Sequence, residues 1–531
     1  MSSLVGTASL VRLALRRDRV ILVVFLVTLV ASVAASADAT VKLYPTITSR
    51  LDAATAVNTA TSALALYGPV HDVNSVGALA TFKVGMMGAV AVAILGLLLV
   101  VRHTRTEEET GRLELLGATV VGRRAPLTAA LLVAAGASLV VGAATTLGLL
   151  AVGMDSTGSV ILGLGYTCLG IAFAAVAGLT AQLTRSARTA SGIAGIVLGA
   201  SYLFRAIGDA SSGNGLGWLS WPSPVGWWQQ TRPYAGNRWW VLALPVGFAI
   251  VVSAVAYALA ARRDFAAGLL PERPGPATAA PSLRSPLALA WRLQRGSLLT
   301  WLVVFVVLGA VVGGLTSSID SFLQSAQARD LITKLGGVKG LRDAFLAVEL
   351  GMTGVAAAVY GVLSASRLRT EETALRAEPL FATSVGRVKW ALSHLTIALV
   401  GSVLLLVAVG LSAGFVSARQ VGDMTELGRV LGGALVQLPA VWLIIGIVVA
   451  AFGLAPRAIV VGWVALIGFM LLGEFGSLFN LSHFVMDLSP FAHVPRLPGG
   501  AFHAAPLAWL TVIAAGLMAI GLAAFRRRDV G

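Results

Sequence analysis

The sequence predicts an all-α polytopic membrane protein: twelve transmembrane helices in two pseudo-symmetric six-helix halves, with both termini in the cytoplasm. Three observations carry this. The 531 residues are 57% hydrophobic and only 12% charged, with a mean hydropathy of +0.85, and long apolar runs recur throughout. The chain also repeats itself: "RTEEETGRLELLGATVVGR" at 105–123 returns as "RTEETALRAEPLFATSVGR" at 369–387 without a gap. Finally, the basic excess of +15 is concentrated at alternating ends of the apolar runs, as the positive-inside rule requires.

Each span needs about 20 apolar residues whose backbone groups are bonded internally. Spans are expected at 20–36, 82–101, 125–152, 158–181, 190–207, 239–261, 297–316, 347–365, 389–416, 430–452, 458–474 and 507–525. Arg12, Arg16, Arg17 and Arg19 precede the first, and Arg526, Arg527 and Arg528 follow the last, which places both ends inside. The small residues in "VAASADA" would also suit a cleaved signal peptide. The same basic-then-apolar design returns at 287–316, where no signal peptide can act, so 20–36 is read as a span. "RLALRRDR" and "LALAWRLQR", just before spans one and seven, fit short amphipathic helices on the inner leaflet or plain juxtamembrane anchors.

The repeat sets the domain organisation. "FKVGMMG" at 82–88 answers "VELGMTG" at 348–354, and "SAR" ending at Arg188 answers "APR" ending at Arg457. "WPSPVGW" at 221–227 answers "DLSPFAH" at 487–493, and the "ARRDF" around Arg263 answers the "RRRDV" around Arg528. This is a parallel duplication about an axis along the membrane normal. The first half is residues 1–263 and the second 291–531. A linker at 264–290 holds Pro271, Pro274, Pro276, Pro281 and Pro286, which oppose helix formation.

Composition also excludes functions. The charge orients the chain in a bilayer, so nucleic acid is not an expected partner. Cys168 is the only cysteine, which leaves no intrachain disulfide. The six histidines form no HxxxH or HExxH spacing, and no metal site or catalytic residue is expected. No lysine is followed by Ser or Thr, so the P-loop pattern that cradles nucleotide phosphates is absent. No Asp, Glu, Lys or Arg lies at a span centre, where ion coupling would need one. His394 and Gln437 are isolated polar residues of the kind helix packing tolerates. An ion-driven antiporter is thereby disfavoured, and work delivered from outside the membrane is the better reading.

The charged repeat is where such work could enter. Both copies lie in the cytoplasmic loop between the second and third spans of their half. Copy one holds Glu107, Glu108, Arg112, Glu114, Thr119 and Gly122, and copy two Glu371, Glu372, Arg376, Glu378, Thr383 and Gly386. Thr106 and Glu109 form a capping-box pattern, Leu113 and Leu116 a narrow apolar face, and Gly122 a helix stop. A short amphipathic helix against the membrane surface is expected in each half. In copy two, Pro379 replaces Leu115 and Ala374-Leu375 replaces Thr110-Gly111, which predicts a shorter or kinked second helix.

At these residues the chain resembles the membrane subunits of bacterial ABC exporters of the ABC-two class. It is most similar to the fused twelve-span permeases of actinobacterial antibiotic and multidrug exporters, and "EEETGRLELLGAT" and "ARRDFAAGLLPERPGP" carry most of the likeness. The resemblance implies an elbow helix before span one and a coupling helix after span two that docks on a separate ATPase. By that resemblance Glu107, Glu108, Arg112 and Glu114, with Glu371, Glu372, Arg376 and Glu378, would contact two copies of an ABC ATPase subunit. ATP and Mg would sit on the ATPase, and no cofactor on this chain. The setting is the bacterial plasma membrane, with lipid around the chain and hydrophobic small molecules as cargo. The implied pathway lies between the halves, along spans two, five, eight and eleven. Met86, Met87, Leu203, Phe204, Met352, Phe469 and Met470 could line it, although ordinary helix packing accounts for the same residues. The repeat register aligns Lys83 with Glu349 and Arg205 with Glu474 at outer span ends. Lys83–Glu474 and Arg205–Glu349 pairs would latch an extracellular gate; four unrelated snorkelling charges are the alternative.

Overall fold

A computed structural model describes residues 3–59, 61–117, 120–211, 215–263, 268–269, 277–278, 280–322, 337–475 and 482–529. Every regular element among them is helical, and the chain divides into two compact units, Met1–Pro274 and Gly275–Gly531. Among the described residues, eleven helices are long and apolar enough to cross a membrane.

The first unit opens with α1 (Thr7–Leu43), a single 37-residue helix. The separate elbow expected before span one is absent, because no proline or glycine interrupts the chain between Thr7 and Leu43. At 1.5 Å per residue α1 is about 55 Å long, well beyond the ~30 Å hydrocarbon core, so its basic N-terminal third extends past the apolar part. Two shorter helices, α2 (Ile47–Thr59) and α3 (Thr61–Tyr67), lead to α4 (Val76–Val101), whose N-terminus is capped by Ser75. After α5 (Arg112–Gly117) come α6 (Ala125–Ala151), α7 (Ser156–Leu183) and α8 (Ala187–Ala210), then the short α9 (Pro224–Gln230) and α10 (Ala243–Arg262). α4 and α7 are the most buried spans of this unit, and α1 and α10 are mostly exposed. α6 and α7 cross closely at Gly142 and Gly163, where a Cβ on either would run into the other's carbonyl oxygen. Tyr166 of α7 stacks on Trp228 of α9 at 5.9 Å and donates to the Gly85 carbonyl of α4 at 3.0 Å, which ties three helices together.

The second unit begins with α11 (Pro286–Phe322), again 37 residues without a break, so helix starts inside the stretch expected to be linker. Proline is tolerated at a first helical position because its missing N–H would have no partner there. Pro271, Pro274 and Pro276 lie outside the described residues. α12 (Gly337–Ala365), α13 (Arg367–Thr373), α14 (Glu378–Phe381) and α15 (Arg387–Val421) follow. The span expected at 430–452 is two helices, α16 (Thr425–Leu435) and α17 (Leu438–Leu454), with Pro439 in the first turn of the second. Where the eleventh span was expected there is a 3-10 turn (Pro456–Val460) and the 15-residue α18 (Val461–Phe475), about 22 Å long. After α19 (His483–Met486), α20 (Ala504–Arg527) closes the unit. α12 and α17 are its buried centre.

The duplication extends to fine structure. Ser223 Oγ donates to the Ser201 carbonyl at 2.5 Å, and its repeat mate Ser489 donates to the Phe469 carbonyl at 3.3 Å. In both halves a serine-proline corner is pinned to the fifth-span helix.

Between α3 and α4 of the first unit, His71 faces a cavity of about 40 Å³ shared with Tyr67, Trp228 and Arg232. Burial, and secondarily the cations Arg232 and Arg238, bring its pKa down to about 4. The unfolded chain therefore takes up this proton first as pH falls. Stability from neutral His71 is complete above about pH 6.5 and is lost between there and pH 4. His71→Phe is expected to lose less stability than the wild type between pH 7 and pH 5, measured as the change in thermal unfolding midpoint in detergent.

Candidate coupling surface

In the first half the charged loop is a continuation of α4. Beyond Val101 the helix runs through a π-helical turn (Arg102–Thr106) and one last α turn (Glu107–Glu109). The capping box at Thr106 is therefore not formed: Thr106 is helical, at φ −64° and ψ −35°, and its side chain caps no N–H. Local sequence resembled a helix start, but the preceding helix already supplied the acceptors. Gly111, at φ +71°, ends this helix, and α5 begins at Arg112.

The acidic residues turn inward. Glu108 is gripped by Arg105, at 2.6 Å, and by Arg263 from the end of α10, at 2.7 and 3.0 Å. Arg105 is fully buried and also donates to the Ala181 carbonyl at the end of α7. Glu107 pairs with Arg17 of α1 and, at 3.6 Å, with Arg112. Glu109 accepts from the Ala187 N–H at 2.7 Å, so it serves an otherwise unpaired donor at the start of α8. Asp18 of α1, also buried, holds His103 at 2.6 Å and Arg102 at 3.1 Å. One loop is thus bonded to α1, α7, α8 and α10.

The second half repeats the central part of this network. Glu372 is held by Arg528, just past α20, at 2.5 Å and by Arg369 at 3.1 Å. Glu371 pairs with Arg367 at 2.7 Å and with Arg376 at 3.6 Å. Arg123 donates to the Arg263 carbonyl at 2.6 Å, and its counterpart Arg387 donates to the Arg528 carbonyl at the same distance. In each half, two arginines and a glutamate bind the loop to the terminus of the last helix.

This revises the expected docking residues. The side chains of Glu108, Glu371 and Glu372 are less than a tenth exposed and are committed to arginines of their own half. Glu109, Arg112 and Glu114 remain outward in the first half, and Arg376, Glu378 and Thr383 in the second. A polar cleft of about 450 Å³ opens beside Glu109, Glu114 and Arg185. Thr119 lies outside the described residues, as does the side chain of Leu116. Gly122 does not stop a helix, because α5 ends at Gly117. Instead its N–H donates to the Val5 carbonyl at 2.9 Å, and a Cβ there would meet the Ser3 backbone. Gly386 is the exposed N-cap of α15. The second amphipathic helix shrinks to the four residues of α14, with Pro379 in its first turn. Leu375 adopts φ +56° where its repeat mate is Gly111, a left-handed conformation that a leucine pays for with about 1–2 kcal/mol.

Arg205 is fully buried and bound within its own half to Asp209 at 3.4 Å and the Leu66 carbonyl at 2.9 Å. Lys83 is exposed, with its ammonium 5.6 Å from the Tyr67 ring. Glu349 is half-buried, and the side chain of Glu474 lies outside the described residues. Met86 is core, 1% exposed, and Phe469 packs partly buried against the second core. Met87, Leu203, Phe204, Met352 and Met470 lie on the surface of their own unit.

Sequence reasoning missed Arg105, Arg263, Arg369 and Arg528 as partners of the loop. The signal was present, since "ARRDF" and "RRRDV" recur together with the Glu-Glu pair.

The family described as "Multidrug efflux system permease Rv1217c, C-terminal domain" matches residues 283–526. The multidrug efflux system permease protein Rv1217c of Mycobacterium tuberculosis is 47% identical over 532 aligned positions, which cover 100% of this chain and 96% of that protein.

Two outcomes are expected of the loop itself. Glu108→Ala leaves the buried Arg105 and the nearly buried Arg263 without their carboxylate and should lower stability by about 3 kcal/mol; Glu372→Ala, whose partners Arg528 and Arg369 are partly exposed, should cost less, and Glu114→Ala should stay within about 0.5 kcal/mol, read by unfolding in detergent. Leu375→Gly should raise stability by about 1 kcal/mol, because it relieves the left-handed backbone at an exposed site.

Proposed function

Because the chain belongs to the multidrug efflux system permease family of Rv1217c, we propose that it is the transmembrane subunit of an ATP-driven ABC exporter for hydrophobic small molecules. It is a multi-pass protein of the bacterial plasma membrane, with eleven helices among the described residues long and apolar enough to span it. In this reading α18 completes a twelfth span, and the basic clusters at Arg12–Arg19 and Arg526–Arg528 hold both termini in the cytoplasm.

The observation that carries the proposal is the duplicated loop, clamped in each half to the end of the last helix. A buried ion pair resists separation because either charge alone would be left desolvated. A force applied to the loop therefore moves the last helix with it. Two such loops suit two ATPase subunits, with ATP and Mg bound there and the exposed Glu109, Arg112 and Glu114, with Arg376 and Glu378, as the docking groups. Closure of the ATPases would rock the halves in alternating access, and the difference between α5 and α14 makes the two contacts unequal.

Co-expression with the candidate ATPase and reconstitution into liposomes tests this. Reversing Glu109, Arg112 and Glu114 together should lower permease-stimulated ATP hydrolysis at least tenfold, and a protonophore should leave dye export intact. Export that proceeds without ATP and collapses with the protonophore would instead establish an ion-driven antiporter.

A further inference from the structure

The first half contains a cavity of about 470 Å³ between the N-terminal part of α1, the charged loop, the start of α6 and the ends of α7 and α10. That size lies within the range of small-molecule sites. One wall is apolar, formed by Leu10, Leu13, Leu127 and Ala130. Leu13 is 55% exposed on α1, so the rim of the cavity is open at its apolar side.

The opposite wall is polar and carries a surplus cation: Arg17, Arg123 and Arg263 against Glu107 and Glu108. Both carboxylates are already held by arginines, Glu107 by Arg17 and Glu108 by Arg105 and Arg263. Arg123 has no carboxylate among the described residues; its one bond runs to the Arg263 carbonyl. Gln182, also lining the cavity, is 3% exposed. Its amide nitrogen donates to the Gly178 carbonyl, but its oxygen is buried without a donor. A buried acceptor left unsatisfied is costly, which points to an occupant with a hydroxyl or N–H.

The second half provides an internal control. In the repeat register Leu368 stands for Thr104, Trp390 for Pro126, Ala451 for Gln182 and Phe525 for Ala260. There the aromatic rings close the space: Trp390 lies 5.9 Å from Phe525, Phe381 lies 5.3 Å from Trp390, and Phe452 lies 4.9 Å from Phe525. Trp390, Phe452 and Phe525 are each no more than 2% exposed. At these positions one half packs its own side chains, and the other presents an open amphipathic chamber with an unmatched acceptor.

We propose that the first-half cavity binds an anionic amphiphile, with its head on Arg123 and Gln182 and its chain along Leu10, Leu13 and Leu127. The assignment rests on the cavity and its repeat mate and does not depend on the transport reading.

The test is native mass spectrometry of the purified full-length chain in uncharged maltoside. The chain is titrated with dioleoyl phosphatidylglycerol, dodecyl phosphate or dioleoyl phosphatidylcholine. One retained equivalent of an anionic probe is expected, and phosphatidylcholine at least tenfold weaker. Retention of phosphatidylglycerol identifies a membrane lipid as the source, and retention of dodecyl phosphate alone a single-chain compound. The double variant Pro126→Trp/Ala260→Phe, which copies the second half, should abolish the retained equivalent. Arg123→Gln, at an exposed position, should weaken it at least fivefold with the helical circular dichroism unchanged. Equal retention of phosphatidylcholine, or unchanged retention in Arg123→Gln or in a folded double variant, overturns the proposal.

Discussion

The contact between a glutamate at the end of the second-span helix and an arginine just past the last helix organises both halves. Glu108 with Arg263 and Glu372 with Arg528 join residues 155 and 156 positions apart, so each pair closes its half into a ring. Taken from water, these charges are costly singly and tolerable only together, with further donors filling their lone pairs. Arg105 and Arg369 provide those donors, and Arg123 and Arg387 fix the carbonyls of the two terminal arginines. The charged loop is consequently not a solvated strap between spans. It is part of the end wall of each helical bundle, and in the first half it is bonded to the first helix and to the end of the last.

The duplication preserved this clamp and let its surroundings diverge. Around the clamp the first half keeps small or polar residues, Thr104, Pro126, Gln182 and Ala260, and encloses a chamber. The second half fills the matching positions with Leu368, Trp390 and Phe525, and packs a compact aromatic cluster. The turn before the short helix shows the same drift: Gly111 suits the left-handed backbone, and Leu375 keeps that backbone despite its Cβ. A conformation retained against its local preference indicates that the surrounding packing sets the path of the loop.

Several features were readable from residues alone, and for definite reasons. The apolar runs and the repeat are properties of contiguous sequence, and the repeat marked the Glu-Glu pair and the terminal arginines at once. Local signals misled where a neighbouring element had already met the need they announce. Thr106 and Glu109 have the pattern of a helix start, but α4 had not ended, and Glu109 serves α8 instead. Arg205 aligned with Glu474 in the repeat register, although Asp209, one turn away on the same helix, was the nearer partner. The arginines of "RRDR" read as lipid anchors, whereas Arg17 and the buried Asp18 beside it dock α1 on the loop.

By itself the sequence determined that this is a helical membrane protein, built twice, with a charged loop at equivalent points of each copy. Hydropathy and repetition are read from short windows, and the bilayer admits few backbone solutions, so little else could follow. Only the tertiary structure decided which charges face inward, which remain exposed, and that one half holds a chamber where the other holds aromatic rings. Those outcomes depend on side chains brought together across more than a hundred residues of chain, and burial there inverts what a glutamate displays. The same Glu-Glu pair that reads as an exposed motif is, once folded, largely the anchor that holds the loop in place.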